Sequence, residues 1–116
     1  MSLLGLDIGT SGCKGAAYSV DGNILATSYR EYATLHPQPG WAELDSYEVW
    51  SCVQSMISEI ALKTQQDPIT AMSMSTMGEA MTPVSNDRKI LGNSILHTDI
   101  RGEQYSGRPS EVYRWR

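Results

Sequence analysis

A chain of 116 residues has room for one modest domain, and its 41% hydrophobic and 19% charged residues suit a soluble globular protein. The 9 basic residues against 13 acidic ones leave a formal charge of -4, which excludes nucleic acid as a main partner, because such binding rests on Lys and Arg neutralising phosphates. No stretch approaches the roughly 18 apolar residues of a membrane helix, and Met1–Gly12 has no basic segment, so neither a membrane span nor a secretory signal is expected. Cys13 and Cys52 are too few for a disulfide framework and have no metal-ligand spacing, so reduced thiols and a cytoplasmic location are expected.

Leu3 to Ile8 is a short, mostly apolar run ended by Gly9-Thr10-Ser11-Gly12, which predicts a buried strand and a tight turn. Lys14 to Val20 predicts a second strand. Asp21-Gly22 follows, the dipeptide that accommodates the two positive φ angles of a type I′ hairpin. Asn23 to Thr34 predicts a third strand, with Ile24, Ala26, Ser28, Arg30 and Tyr32 sharing one face. The three form an antiparallel meander. The prolines of His36-Pro37-Gln38-Pro39-Gly40-Trp41 deny that segment ladder bonds and make it a loop. A helix is expected after Asp45, which can cap it while Glu48 completes a capping box. Val49, Val53, Met56 and Ile60, with Trp50, Ile57 and Ala61 beside them, form a stripe at helical spacing that runs to about Lys63. Ile69 to Ser75 predicts a fourth strand, and Thr76 to Glu79 the loop that leaves it. Met81–Val84 and Ile90–Leu96 predict two short strands around the turn Ser85-Asn86-Asp87-Arg88.

Chemistry concentrates at Asp7-Ile8-Gly9-Thr10-Ser11-Gly12-Cys13-Lys14. A carboxylate at a strand end can hold hydrated Mg²⁺ beside a polyphosphate. Gly9 and Gly12 let backbone N–H groups approach phosphate oxygens, Thr10 and Ser11 add hydroxyl donors, and Lys14 adds a point charge. On composition alone a plain hairpin turn, with Asp7 a turn residue, is the commoner reading, because Gly-rich turns are common. They match neither a Walker A loop nor a dinucleotide-binding GxGxxG. Cys13 and Cys52 read as inert small hydrophobes, and His36 and His97, without ligand-spaced partners, as surface or packing residues.

The octapeptide from Asp7 to Lys14, followed by strand, Asp21-Gly22 and strand, resembles the first phosphate motif of the actin-like ATPases. Three later segments narrow the resemblance to the FGGY carbohydrate kinases, a family of xylulokinase-, gluconokinase- and glycerol kinase-like enzymes. They are Pro39-Gly40-Trp41-Ala42-Glu43-Leu44-Asp45 with Trp50, then Ser73 to Ala80, then Ser94 to Arg101. The implied fold is α/β, the N-terminal portion of a ribonuclease H-like (actin-like ATPase) domain, incomplete. Residues 1–105 would be part of the N-terminal, sugar-binding domain.

The resemblance also implies roles. Asp7 would stand at the metal-phosphate end, with Gly9, Thr10, Ser11 and Lys14 on the ATP side. Met77, Gly78 and Glu79 would face the sugar, Glu79 matching a glutamate that binds polyol hydroxyls. Xylulokinase-like members carry Met-His-Gly there, which Gly78 and Glu79 do not follow. Asp99 and Arg101 would stand beside that pocket, equally readable as a structural ion pair. Trp41 and Trp50 read as loop or core anchors, Asp45 as a cap and Glu43 as a brace. ATP and Mg²⁺ would be cofactors of the full-length parent, and a small sugar or polyol its substrate. The family's base aspartate lies further along the chain than residue 116, and its adenosine site belongs to a second domain, so the 116 residues alone are expected to be inactive. The alternative is a non-catalytic module of actin-like fold that binds phosphate or a partner. An actin-like ATPase without a sugar substrate is disfavoured by the Pro-Gly-Trp and Met-Gly-Glu loops. Residues 106–116, with three Arg against one Glu and no period, read as an anomalous tail unlike the family, from truncation, a frame shift or cropping. Uncovered strand edges would favour a homodimer or a swapped oligomer.

Overall fold

Alternation along the first strand sets the two faces of the sheet. In the computed structural model, which describes residues 1–103, β1 (Ser2–Ile8) buries Ser2, Leu4 and Leu6 on one face and leaves Leu3 and Gly5 on the other. β2 (Gly12–Ser19) pairs antiparallel with β1, Asp7 opposite Lys14 and Ile8 opposite Cys13. β3 (Ile24–Glu31) pairs antiparallel with β2 and completes the expected meander, although β2 begins before Lys14 and β3 is shorter than Asn23–Thr34. Ala26, Ser28 and Tyr32 share the buried face as the alternation predicts, but Ile24 does not. The ladder slips between Ala17 and Tyr18, so that Ala17 faces Ala26 while Tyr18 faces Ile24. Leu25 is the extra residue of this bulge, and Ile24 turns to solvent.

The hairpin between β2 and β3 is not type I′. Gly22 has φ of 86°, but Asp21 is not in the left-handed region. The Gly22 N–H donates to the Ser19 carbonyl (3.0 Å) and the Ser19 N–H to the Asn23 carbonyl (2.9 Å). This is a three-residue loop in which a turn is followed by a left-handed glycine. The hairpin at Ser85–Lys89 repeats it: the Arg88 N–H donates to the Ser85 carbonyl and the Ser85 N–H to the Lys89 carbonyl, each at 2.9 Å. There Arg88, at φ 64°, holds the position that Gly22 holds in the β2–β3 hairpin.

β4 (Glu43–Leu44) closes the proline loop and leads into α1 (Ser46–Lys63). Asp45 caps α1 as expected, its Oδ1 accepting from the N–H of Tyr47 (2.8 Å) and of Glu48 (3.3 Å). At the other end Thr64 closes the helix, its hydroxyl donating to the Ile60 carbonyl at 3.0 Å. Val53, Met56 and Ile60 are buried against the sheet, whereas Trp50 and Ala61 lie outside that stripe, exposed. α1 carries the chain over to β5 (Ile69–Thr76), which runs parallel to β1 and gives the order β3-β2-β1-β5. The core lies between α1 and this sheet. The opposite face is open, an 830 Å³ trough floored by Gly5 and Ala16 beside exposed Met74.

The two short strands expected at Met81–Val84 and Ile90–Leu96 reduce to single bridges, Met81 to Ile95 and Val84 to Ile90. Pro83 offers a carbonyl to Leu91 but no N–H to a ladder. Only β6 (Ser94–Ile95) forms, and it pairs with β4. Among the described residues, no helix is long and apolar enough to cross a membrane. The residue 106–116 tail lies outside the described residues.

Candidate functional site

The parallel pairing of β1 with β5 decides where the motifs meet. Asp7 stands opposite Ser75 and Ile8 opposite Thr76, and the Met77 N–H reaches the Ile8 carbonyl at 3.4 Å. The Gly9–Gly12 turn and the loop after Thr76 therefore leave the sheet at one end, at the carboxyl ends of two parallel strands. Open α/β sheets bind ligands there.

In the turn, the Gly9 N–H donates to the Gly12 carbonyl at 2.9 Å. Neither glycine has a positive φ, so Gly12 is not required by backbone conformation. Close approach requires it: a Cβ there would lie 2.6 Å from the Arg30 carbonyl and 2.7 Å from the Tyr29 hydroxyl. Tyr32, only 6% exposed, braces the turn from the end of β3. Its hydroxyl donates to the Gly9 carbonyl at 2.6 Å, and its N–H to the Ser11 carbonyl at 3.3 Å. Burial, helped by the neighbouring Cys13 and Cys52 thiols, pushes the phenol up to about 12. The sequence offered no signal for Tyr32 beyond its place on a strand face. Cys13 is fully buried, and burial raises its thiol, as an inert hydrophobe requires. Asp7 and Lys14 form an ion pair at 3.1 Å, both well exposed.

On the acceptor side the three expected residues separate. Met77 turns inward and packs against the core. It lines a 290 Å³ cleft with Val49, Trp50, Ala80, Thr82 and Ser94. Nothing lies within 4 Å of a Cβ placed on Gly78. Glu79 points to solvent, with the Nδ1 of His97 at 3.9 Å from its Oε2. His97 is thus a neighbour of the candidate glutamate that its sequence spacing did not reveal. Ser94 also joins a hydroxyl chain across the cleft, 2.7 Å from Ser46 and 2.6 Å from Thr82.

The sequence profile of the "FGGY family of carbohydrate kinases, N-terminal domain" matches residues 2–111. The chain belongs to this family. It is 35% identical over 97 residues to the glycerol kinase of Limosilactobacillus reuteri (strain DSM 20016), covering 81% of this chain and 19% of the relative. It is 31% identical over 118 residues to the L-xylulose/3-keto-L-gulonate kinase of Escherichia coli K12, covering 95% of this chain and 24% of the relative. The crystal structure of gluconate kinase from Lactobacillus acidophilus superposes with a TM-score of 0.81 at 27% identity, over 90% of this chain and 21% of that one. The expected fold class holds: a mixed sheet with one helix, the N-terminal actin-like, ribonuclease H-like portion of an FGGY kinase. The chain spans about a fifth to a quarter of the length of these curated relatives.

In this FGGY chain Asp99 and Arg101 hold the Pro-Gly-Trp loop. The Arg101 guanidinium donates to both Asp99 oxygens (2.8 and 2.6 Å) and to Glu43 Oε1 (2.6 Å), and it stacks 3.7 Å over the Trp41 ring. Asp99 Oδ2 accepts from the Ala42 N–H at 2.7 Å, and Asn93 donates to the other Glu43 oxygen. Arg101 holds the carboxyls of Asp99 and Glu43 below the usual range, Asn93 assisting at Glu43. Neither Asp99 nor Arg101 bonds to Glu79 among the described residues. These contacts tie Arg101 and Asp99 to Trp41, Ala42 and Glu43. A second cluster ties α1 to β3, where Lys63, Ser28 and Arg30 lower the Glu59 carboxyl to about 2.

These carboxylates set an acid limit on stability. Their folded pKa values lie below the unfolded ones, so each contributes fully above its unfolded value and is lost as pH falls through the folded one. For Glu59 that window runs from 4.5 down to about 2. The melting temperature of the chain, followed by circular dichroism, is expected to hold from pH 7 to 5 and fall steadily below pH 4.5. Glu59→Gln should flatten part of that fall; a wild-type melting temperature independent of pH down to 3 would refute the assignment.

Proposed function

We propose that the chain supplies one wall of the active cleft of an ATP-dependent sugar or polyol kinase, and that phosphoryl transfer belongs to the whole protein. The observation that carries this reading is the convergence of the Gly9–Gly12 turn and the Met77–Glu79 loop at one end of the parallel β1–β5 pair. Phosphoryl transfer depends on positioning and charge neutralisation between a nucleotide side and an acceptor side, and two such loops at one sheet end suit it. The family and the kinase relatives support the same class.

On the nucleotide side, the Gly9, Thr10 and Ser11 region would offer short donors to phosphate oxygens, with Lys14 adding charge. Among the described residues no group of three metal-ligating side chains occurs. Mg²⁺ fits all the same, because it keeps several waters and takes one or two carboxylates together with substrate phosphates. Asp7, exposed at the end of β1, is the carboxylate that would hold it, and Lys14 would then turn from Asp7 towards phosphate. When bound, the metal would neutralise phosphate charge. On the acceptor side Glu79, exposed and with His97 beside it, would accept from sugar or polyol hydroxyls, while Met77 would shape the floor of the cleft. Asp99 and Arg101 would hold the neighbouring loop. A cytoplasmic location accords with such a substrate. The open β5 edge and sheet face are where a second copy would pair if the chain stands alone.

The test joins residues 1–103 to the remainder of the Aquifex aeolicus glycerol kinase, which is 30% identical over 94% of this chain. Transfer from ATP to glycerol, xylulose or gluconate by this hybrid, and none by the 116 residues alone, is expected. A hybrid that folds and binds ATP but phosphorylates none of the three overturns the reading.

A further inference from the structure

A two-residue turn between antiparallel strands ordinarily closes by two reciprocal backbone bonds, each end donating to the other. At Gly9–Gly12 one of them forms, from the Gly9 N–H to the Gly12 carbonyl at 2.9 Å. The Gly9 carbonyl, the expected acceptor of the second, is held instead by the Tyr32 hydroxyl at 2.6 Å. The next carbonyl but one, that of Ser11, accepts from the Tyr32 N–H. One residue of β3's end therefore controls two of the turn's carbonyls. A trans peptide sets its C=O and the following N–H on opposite sides. Drawing the Gly9 carbonyl to Tyr32 thus aims the Thr10 N–H away from it, and drawing the Ser11 carbonyl does the same for the Gly12 N–H. Carbonyl oxygens repel an anion and N–H groups attract one, so the direction of these two peptides decides what the turn can bind.

We infer that Tyr32 is a positioning residue for the Gly9–Gly12 turn, its hydroxyl fixing the Gly9–Thr10 peptide so that the Thr10 N–H is presented to a phosphate oxygen. The inference rests on reading the turn as the phosphate side of the site. The geometry favours a deliberate tether over incidental packing. Tyr32 is 6% exposed, and its phenol oxygen meets the turn directly at 2.6 Å from the Gly9 carbonyl. Phenylalanine would fill the same space but could not hold the Gly9 carbonyl, which would be free to close the turn as an ordinary hairpin.

The test compares Tyr32→Phe with Thr64→Val in the ¹⁵N-labelled 116-residue chain. Thr64→Val also removes one buried hydroxyl bond, to the Ile60 carbonyl at the far end of α1, and serves as the control for lost stability. Amide resonances and exchange rates of Thr10 and Gly12 are read without ligand, then during titration with inorganic pyrophosphate. Tyr32→Phe is expected to move both resonances and weaken pyrophosphate binding about fivefold, the worth of one ordinary hydrogen bond, while Thr64→Val changes neither. Unmoved Thr10 and Gly12 resonances in Tyr32→Phe overturn the tether whatever the affinity. Moved resonances with unchanged affinity overturn its role in anion binding, and equal losses in Thr64→Val reduce it to general stability. Moved resonances in a chain whose wild type ignores pyrophosphate overturn the phosphate reading of the turn and leave the tether supported.

Discussion

Gly12→Ala is expected to destabilise the chain by about 3 kcal/mol, the upper range for forcing atoms into a packed site. The added Cβ would stand 2.6 Å from the Arg30 carbonyl, 2.7 Å from the Tyr29 hydroxyl and 2.9 Å from its Cζ. Tyr29 can swing aside, being half exposed. The Arg30 carbonyl cannot, because it belongs to the ladder that pairs Gly12 with Glu31 and Cys13 with Arg30. Relief requires β2 and β3 to part, which also loosens the Tyr32 brace on the turn. For a domain of this size the melting temperature should drop by roughly 10–20 °C. Gly78→Ala is the matched control from the other loop. A Cβ there meets nothing within 4 Å and the backbone is not left-handed, so its effect should stay within about 0.5 kcal/mol. If the two substitutions cost the same, the close approach of β3 to the turn is not what makes Gly12 a glycine.

That contrast shows what the sequence could convey about the site. Gly12 and Gly78 look alike in one dimension, each a glycine in a motif after a strand. Only the register of β3 on β2 distinguishes them, and that register is set by pairings between residues up to 19 positions apart. The local signals were legible because their causes are local. Asp45 caps α1 through N–H groups two and three residues away, and Val53, Met56 and Ile60 share a face because the helix repeats every 3.6 residues. The fourth strand could be placed, and its parallel neighbour β1 brings the two motif loops together. The Leu25 bulge had no such signal, because alternation says nothing about where a ladder slips. Nor did Arg88, whose left-handed backbone breaks the preference for glycine that Gly22 obeys. The partners of Arg101 were half legible. Asp99 is two residues away, but Glu43 and Trp41 come from a loop about sixty residues earlier, which the β4–β6 pairing brings alongside. His97 beside Glu79 belongs to the same class of long-range contact.

Ile60→Ala should be the most damaging single truncation of the core, costing about 4 kcal/mol. Ile60 is fully buried on the face of α1 that packs against the sheet. The sheet admits it through a missing side chain: a Cβ on Gly15 would lie 2.8 Å from Ile60 Cδ1, 3.2 Å from Leu6 Cδ2 and 3.3 Å from Met56 Sδ. Gly15 therefore acts as a socket in β2 for a residue on α1, and the two positions should behave as one packing unit. Gly15→Ala alone overfills the socket and should cost about 1–3 kcal/mol. In the Ile60→Ala background the same methyl enters the space that Cδ1 has left, and there it should restore about 1 kcal/mol. Urea unfolding of the four chains in this cycle measures the coupling. A sign reversal of the Gly15→Ala effect between the two backgrounds is the expected result. Strictly additive costs would mean that α1 does not seat Ile60 over Gly15. The stripe would then bury itself elsewhere on the sheet, and the crossover that sets β5 beside β1, bringing the two loops to one end, would lose its anchor.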